Sequence, residues 1–282
     1  MAGLGLVAIK SRIKSVTNTQ KITKAMGLVA TSKLRKTKEA LDINSPYYDS
    51  LMAVLNESLK HHEISNVYKN GNGNKKKLYV IFTSDEGLCG SFNLNVLNKA
   101  LEEISKDKEN SLLFILGEKG VSFFNKYNYK IYKKYTDIHD VPTLGDSNAF
   151  AMDILNIYDN NEVGEVYAVY NKFLSTAKQE VTIEKILPLG DEENYSTKYI
   201  EFEPEVDDFL DDIVPIYIRA KMLNLLIHSK CSEQSIRMAA MDGATKNANQ
   251  LLDKLKLQFN RMRQSAITQE ISEIVGGAEA QK

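Results

Sequence analysis

The feature that most constrains the fold is a long helical pattern at the C-terminal end of the sequence. Residues 216–282 contain no proline, and their apolar residues recur at steps of three and four. The clearest run is Leu252, Leu255, Phe259, Met262 and Ala266, and Ile267, Ile271 and Ile274 continue it on a nearby face. This spacing predicts an α-helix with a narrow apolar seam. A helix of this length would extend roughly 100 Å, so part of it must pair with another long helix or lie inside a partner.

A second proline-free pattern lies at the opposite end of the chain, in residues 5–45. Its seam alternates steps of three and four, as in a coiled coil, at Leu6, Ile9, Ile13, Val16, Gln20, Thr23, Gly27, Ala30, Leu34, Thr37 and Leu41. The middle of this seam is small or polar, and the C-terminal stretch has a matching zone at Ser229, Ser232, Ala239, Ala240, Gly243 and Ala244. We therefore predict that the two terminal helices wind antiparallel around each other. The alternative is two amphipathic helices folded flat onto a core.

Between these helices, short apolar runs alternate with helical patterns. Strands are predicted at residues 78–83, 112–116, 129–135, 165–173, 181–187 and 198–202, and helices at 93–104, 118–127 and 147–158. This alternation predicts a central Rossmann-like α/β domain with a largely parallel sheet. The predicted fold class is α/β plus a long antiparallel two-helix coiled coil. Its domains are an N-terminal helix at 1–62, the α/β domain at 75–205 and a C-terminal helix at 208–282.

Prolines predict where the long helices end. The residue before a proline avoids the helical conformation, so Pro46 is expected to bend or break the first helix. A turn around Asp211 and Asp212 is expected to lead through Pro215 into the last helix. Acidic residues just before a helix also suit its dipole.

Charge is distributed unevenly, although the net charge is only −1. Residues 1–41 carry nine basic residues and one acidic residue, residues 216–282 carry ten and six, and residues 42–215 carry 17 and 30. Basic helices are expected to bind an acidic partner, either nucleic acid or an acidic protein surface. The sequence has no apolar run of about 18 residues and no signal-peptide layout, so we expect a cytosolic protein. In that compartment Cys89 and Cys231 are expected to be free thiols.

Candidate catalytic residues are few. The loop at residues 84–91 follows a predicted strand, where α/β sheets bind ligands, but it lacks the glycine spacing of a nucleotide-binding motif. Cys89 has no histidine near it in the sequence, and a packed thiol is the simpler interpretation. His139 beside Asp137 and Asp140 lacks a second converging group. We therefore predict no catalytic residue, no cofactor and no metal.

Stretches in three parts of the chain resemble signature sequences of one family. They are IKSRIKSVTNTQKITKAM with VATSKLRK, then TSDEGLCGSFN, and finally SEQSIRMAAMDGATKNA with RMRQSAITQEISEIVGGA. Their order and spacing are similar to those of the gamma subunits of F-type ATP synthases, most like the bacterial form, over essentially the whole length. The resemblance implies a non-catalytic, rotating central stalk inside a hexamer of alternating alpha and beta subunits. Such a stalk couples proton flow through a membrane ring of c subunits to ATP synthesis or hydrolysis on the beta subunits.

The resemblance also implies site residues and partners. Contacts with the beta subunits are implied at Arg263, Gln264, Thr268, Glu270, Lys21, Lys24 and Met26, and contacts with the membrane ring at Phe202 and Glu203. It further implies an epsilon subunit as a partner, no nucleic acid, and a peripheral position on the cytoplasmic face of the bacterial cell membrane. The chain departs from the family pattern at Gly27, where some relatives carry a charged residue, and at Ser91, which replaces a common glycine.

Two other functions stay open from the residues alone. A basic coiled coil can bind nucleic acid with an affinity that falls steeply with salt, although these helices lack the interleaved aromatic residues that stack on single strands. An α/β enzyme with helical extensions would bind a small molecule at the carboxyl ends of its strands.

Overall fold

The computed structural model of the protein describes residues 2–59, 66–190 and 206–279. The helices are α1 (Ala2–Leu59), α2 (Val67–Asn70), α3 (Phe92–Ile104), α4 (Glu118–Lys126), α5 (Leu144–Asp159) and α6 (Val206–Glu279). The strands are β1 (Lys77–Phe82), β2 (Ser111–Leu116), β3 (Ile131–Tyr135), β4 (Glu165–Ser175) and β5 (Lys178–Leu187). The chain divides into two compact units, unit 1 (Met1–Val29 with Met238–Lys282) and unit 2 (Ala30–Arg237). Within the described ranges, no helix is both long and apolar enough to cross a membrane.

Unit 1 is an antiparallel pair formed by the first part of α1 and the last part of α6. The Gln20 amide donates to Asn249 Oδ1 at 2.9 Å, and the hydroxyls of Thr23 and Thr245 lie 2.8 Å apart. Going up in residue number along α1, from Gln20 to Thr23, the contacting residue on α6 goes down in number, from Asn249 to Thr245. The two helices therefore run in opposite directions. Every seam position predicted for α1 in this unit is buried or half-buried, which confirms the pattern of three and four.

Helix α1 continues through Pro46, so of the two outcomes expected at that residue, a bend or a break, the break is wrong. A proline inside a helix removes one hydrogen bond and crowds the preceding turn, at a cost of about 3 kcal/mol. Beyond it, Leu55 and Leu59 are only 0% and 3% exposed, in the core of unit 2. Burying two leucine side chains stabilises by about 3–6 kcal/mol, which is enough to offset the local cost of the proline.

The expected turn before Pro215 is also wrong, because α6 already begins at Val206. Asp211 lies within the helix and accepts a hydrogen bond from the Asn66 side chain at 2.8 Å. The next apolar residues, Ile213 and Val214, are buried in the core of unit 2. Packing on this core therefore stabilises the helical conformation through the acidic residues and the proline. The strand predicted at 198–202 lies outside the described residues.

The five strands form one sheet in the order β3-β2-β1-β4-β5. β1 pairs in parallel with both β2 and β4, and β2 pairs in parallel with β3. β4 and β5 form an antiparallel hairpin at the other edge of the sheet. The predicted, largely parallel α/β arrangement is thereby confirmed. The domain limits 1–62, 75–205 and 208–282 stay a prediction.

Strand β1 shows how the sheet is covered on both faces. Leu78, Val80 and Phe82 contribute to a core with residues of α1, α5 and α6. Tyr79 and Ile81 contribute to a separate core with residues of α3 and α4. Because successive side chains of a strand point to opposite faces, a strand covered on both sides has a continuous apolar sequence. This burial explains the apolar run that predicted the strand.

Candidate interaction surface

The residues predicted to contact a partner near the end of the chain lie on an exposed part of α6. Arg263, Gln264, Thr268 and Glu270 are all exposed. The Thr268 hydroxyl donates to the Gln264 carbonyl oxygen at 3.0 Å, within the helix itself. Neither Arg263 nor Glu270 has an ion-pair partner in the described part of the chain. The Arg263 guanidinium is therefore available for paired hydrogen bonds to a carboxylate.

The predicted contact residues of α1 lie at a different level of unit 1. Lys21 and Lys24 are exposed and flank Thr23, whose hydroxyl meets Thr245 on α6. From Thr245, Arg263 lies about 27 Å further along α6, at 1.5 Å per residue. The structure therefore separates the predicted contact residues into two groups along the helix pair.

The centre of the helix pair has a small and polar seam. Met26 is half-buried, and a Cβ added at Gly27 would lie 3.5 Å from Met241 Cβ, an ordinary van der Waals distance. Thr23 is buried in the same seam. Side chains of this size bury little apolar area, so the pair is held more weakly here than by a leucine seam.

The last predicted apolar row does not belong to the seam. Ile267, Ile271 and Ile274 are all exposed, in contrast to the buried Leu252 and Leu255 of the same helix. Their spacing of four and three places them on one face of α6. The C-terminal part of α6 therefore presents an apolar row to solvent. The residues predicted to contact the membrane ring, Phe202 and Glu203, lie outside the described residues.

The loop at residues 84–91, which follows β1, is tightly hydrogen-bonded. The Ser84 backbone N–H donates to Asn93 Oδ1 at 2.9 Å, and the Ser84 hydroxyl donates to the Glu86 carbonyl oxygen at 2.6 Å. The Asn93 amide in turn donates to Ser84 Oγ at 2.7 Å and to Cys89 Sγ at 3.3 Å. Cys89 is buried beneath the loop and both cysteines are free, as predicted. Cys89 thus packs as a structural thiol.

A buried arginine of α6 packs against the same loop, which follows the carboxyl end of β1. Arg237 donates to Glu233 Oε1 at 2.7 Å, to the Gly87 carbonyl oxygen at 3.3 Å and to the Glu86 carbonyl oxygen at 3.4 Å. Glu233 also faces the Lys230 ammonium at 3.6 Å, and all three charged side chains are buried. Two cations therefore share one carboxylate. The remaining N–H groups of the arginine donate to carbonyl oxygens of the loop, so the buried charge is hydrogen-bonded.

At the carboxyl ends of β1 and β2, where sheets of this kind bind ligands, the chain's own atoms approach one another closely. A Cβ added at Gly117, where φ is 94°, would lie 2.3 Å from the Thr83 carbonyl oxygen. Arg237 occupies the neighbouring space over the loop at residues 84–91. In the part of the chain that the structure describes, no cluster of side chains is suited to hold a metal ion.

The structure pairs His139 with Asp146, and not with the neighbouring Asp137 or Asp140 that the sequence analysis considered. Its Nδ1 lies 2.7 Å from Asp146 Oδ1, because Asp146 is held at the start of α5 by a capping box with Thr143. Burial raises the pKa of Asp146, but hydrogen bonds from His139 and Thr143 outweigh burial and lower the pKa below its ordinary value. The imidazole is exposed, so this pair is a surface contact and not a buried base.

Sequence reasoning missed a further buried cation on α6, in addition to Lys230 and Arg237. Lys221 is buried, donates to the Tyr48 hydroxyl at 2.7 Å and forms an ion pair with Glu184 of β5. Burial raises the pKa of Tyr48, although the charge of Lys221 acts in the opposite direction. The available signal was a lysine in the largely apolar stretch KMLNLLIH. A single such residue does not reveal its partners, since they lie on α1 and β5.

Comparison with known proteins adds sequence relationships to this geometry. A family model described as "ATP synthase" matches residues 5–281. The ATP synthase gamma chain of Clostridium botulinum strain Langeland is 55% identical over 282 residues, covering 100% of both chains. The ATP synthase gamma chain of Clostridium kluyveri is 53% identical over 283 residues, again with 100% of both chains covered.

Solved structures show the same architecture. A central stalk chain from the Tetrahymena thermophila mitochondrial ATP synthase, solved with its c-ring, is similar with a TM-score of 0.65 and 26% identity, covering 79% of this chain and 99% of that chain. A chain of the Euglena gracilis mitochondrial ATP synthase has a TM-score of 0.75 at 19% identity, covering 99% of this chain and 95% of that chain. The second likeness concerns the fold alone.

Proposed function

The chain belongs to the ATP synthase gamma-chain family, and we propose that it turns as the central stalk of a proton-translocating F-type enzyme. As a stalk subunit it is non-catalytic. Its proposed task is to couple proton flow through a membrane ring to ATP synthesis or hydrolysis at sites on the beta subunits. The observation that carries this proposal is the antiparallel helix pair of unit 1, which is built from the two ends of the chain.

The proposed partners of unit 1 are the alpha and beta subunits of the catalytic hexamer. Arg263 and Gln264 are assigned to a contact with beta, and Thr268 and Glu270 extend that contact along α6. Their exposure supports this assignment, as does the guanidinium of Arg263, which has no ion-pair partner among the described residues. An acidic beta loop would complement the arginine through paired hydrogen bonds.

Lys21, Lys24 and Met26 are assigned to a second contact with beta. Both lysines are exposed on α1, and neither has an ion-pair partner within the described residues. A charge on a flexible stem can follow a moving acidic surface without a fixed geometry. These residues therefore suit a contact that is made and broken as the stalk turns.

The remaining proposed partners are the ring of c subunits and the epsilon subunit. Phe202 and Glu203 are assigned to the ring contact by the family resemblance. This arrangement would hold the chain as a peripheral subunit on the cytoplasmic face of the bacterial cell membrane.

The proposed mechanism is a population shift. At each rotational position, an asymmetric stalk contacts the three beta subunits differently, and each contact favours one conformation of that subunit over another. Coupling between the stalk and a nucleotide site is then the difference between two interaction free energies. Exposed contacts of modest strength suit this role, because strong contacts at one position would trap the stalk there.

The first test is ATP hydrolysis by an alpha–beta hexamer with this chain, without it, and by this chain alone. We expect no hydrolysis by the chain alone and a changed turnover when it joins the hexamer. If the chain neither binds the hexamer nor alters its turnover, the proposal fails.

The contact at the end of α6 is tested by the double variant Arg263→Ala with Gln264→Ala in the complete enzyme. We expect less ATP synthesis for a given proton gradient, because the charge-assisted contact with beta is lost. Arg261→Ala, which removes another exposed arginine of the same helix, is the matched control. Unchanged synthesis in the double variant would remove these two residues from the proposal.

A further inference from the structure

The connections at the two ends of the sheet differ in the sign of their charge. Four acidic residues and no lysine or arginine occur at the carboxyl ends of the parallel strands, in residues 83–91, 117, 136–143 and 176–177. Five lysines and three acidic residues occur at the opposite end, in residues 71–76, 105–110, 127–130, 160–164 and 188–190. This second end is therefore basic, although residues 42–215 as a whole carry 17 basic and 30 acidic residues.

Seven lysines form this basic end, the lysine edge, which consists of Lys75, Lys76, Lys77, Lys106, Lys108, Lys130 and Lys185. Lys77 and Lys185 share the carboxylate of Glu165, at 3.3 and 2.8 Å. Lys106 lies 2.7 Å from a carboxylate oxygen of Glu103. The other four lysines are exposed and have no carboxylate partner among the described residues. Their charges are thus free to meet another molecule.

The lysine edge is wide and shallow, which indicates the kind of ligand that it fits. Four strand spacings, about 19 Å, separate β3, which follows Lys130, from β5, which contains Lys185. Lys76 and Lys130 line an open depression of about 250 Å³ together with Tyr132. A single small anion would need donors that converge on one point. Charges spread over this width match a surface that carries many anionic groups side by side.

The side-chain types at the lysine edge favour a lipid surface over a nucleic acid. Tyr127 and Tyr132 are 52% and 45% exposed, and tyrosine is enriched where a membrane meets water. None of the connections at this end contains an arginine, the residue that suits paired hydrogen bonds to one fixed phosphate. The single charge of lysine on its flexible stem suits phosphates that are not fixed in place.

A contact within unit 2 relates the lysine edge to the proposed contact with the membrane ring. The Asn66 side chain donates to Asp211 Oδ1 at 2.8 Å, which holds the start of α6 beside the start of α2. Helix α2 leads directly into residues 71–76 of the lysine edge. Phe202 and Glu203, which are assigned to the ring contact, immediately precede α6 in the sequence. The lysine edge therefore lies at the end of unit 2 that the proposed ring contact uses.

We propose that the lysine edge contacts the anionic phospholipid headgroups of the membrane beside the ring. The inference rests on the proposed function, because that function brings this end of unit 2 to a membrane. It adds a lipid partner to the protein partners already assigned. A fluid lipid surface presents the same charge at every rotational position, so this contact would not trap the stalk at one of them.

Vesicle binding tests the proposal. The chain is assembled with the alpha–beta hexamer, which engages the basic helices of unit 1 in the proposed function. The complex is then sedimented with vesicles of phosphatidylcholine, alone or mixed with phosphatidylglycerol, and binding by the hexamer without the chain is subtracted. We expect binding to the anionic vesicles only, with an affinity that falls as the salt concentration rises.

A triple variant tests whether the lysine edge provides this binding. Each lysine near an anionic surface strengthens binding about fivefold, so replacing Lys75, Lys76 and Lys130 by glutamine should weaken it about 100-fold. The matched control replaces three exposed lysines near the other end of the sheet by glutamine, namely Lys119, Lys134 and Lys178. It removes the same charge but should change the affinity by less than about twofold, because those lysines lie more than a Debye length away.

Each result supports or overturns a separate statement. Equal losses in the two triple variants would show that only the net charge matters, and would overturn the role of the lysine edge. Equal binding to neutral and anionic vesicles, or binding to neither, would overturn the lipid partner and leave the proposed function intact. If the chain does not join the hexamer, the proposed function fails. The same variants of the full chain alone then test the lysine edge.

Discussion

Replacing Arg237 by methionine should destabilise unit 2 by about 3 kcal/mol, at the lower end of the range for breaking a buried ion pair. The change removes the 2.7 Å hydrogen bond to Glu233 and the donors to the carbonyl oxygens of Glu86 and Gly87. Lys230, 3.6 Å from Glu233, remains and partly compensates the carboxylate. This remaining cation is why the lower end of the range applies.

Removing the shared carboxylate should cost more than removing one of its cations. Glu233→Leu leaves Lys230 and Arg237 buried together without a counter-charge, so we expect a loss of about 5 kcal/mol. Replacing all three residues by apolar ones should lie within about 2 kcal/mol of wild type, because no buried charge is then left unpaired. The triple variant should therefore be more stable than either single variant.

Tyrosine fluorescence during guanidinium titration measures these losses in unit 2 alone. All 14 tyrosines lie between residues 30 and 237, and the chain has no tryptophan. Variants are compared at equal m-values, so that a change in midpoint reflects stability. A loss below about 1 kcal/mol for Arg237→Met, or a triple variant less stable than that single variant, would refute the reasoning.

Three other changes test separate features of the two units. Burial lowers the pKa of His228 below its ordinary value of 6.5, so the unfolded chain binds the proton more readily than the folded chain. The free energy of unfolding should therefore fall as the pH drops below about 6.5. In denaturant titrations, His228→Leu should make the free energy of unfolding depend less on pH. Gly117→Ala should destabilise by about 3 kcal/mol in the same titrations, because its Cβ would lie 2.3 Å from the Thr83 carbonyl oxygen. Gly27→Ala should raise the stability of the helix pair by up to about 1 kcal/mol, since Met241 Cβ lies at an ordinary 3.5 Å; a lower unfolding midpoint by circular dichroism would contradict this.

Elements with a strong periodic or continuous apolar pattern could be predicted from the sequence. The seam of α1 and the apolar run of β1 both follow from which side chains must leave water. The behaviour at Pro46 could not be predicted, because a local preference was outweighed by Leu55 and Leu59 packing in a core formed by distant parts of the chain. Whether the helix continued past Pro46 depended on burial against distant parts of the chain, which cannot be read from the residues around the proline.

The candidate site was harder to predict than the fold. Arg263 and Gln264 were singled out by family resemblance, because exposure alone does not distinguish them from other polar residues of α6. Arg237 was not singled out as a buried residue, since the carbonyl oxygens that it contacts besides Glu233 belong to the loop at 84–91, about 150 residues earlier. The left-handed backbone conformation of Leu88, where φ is 61°, is likewise a property that the loop's composition does not reveal.

The pairing in unit 1 has a consequence for how the chain is made. Gln20 meets Asn249, and 229 positions separate them in the sequence. At about 5–20 residues per second, the N-terminal part of α1 leaves the ribosome some 10 to 50 s before its partner has been synthesised. A nascent segment that waits so long benefits from having glutamine, threonine and glycine, rather than leucine, in the middle of the face it will later cover. The seam that is weak in the finished protein should thus make the unfinished one less prone to aggregate.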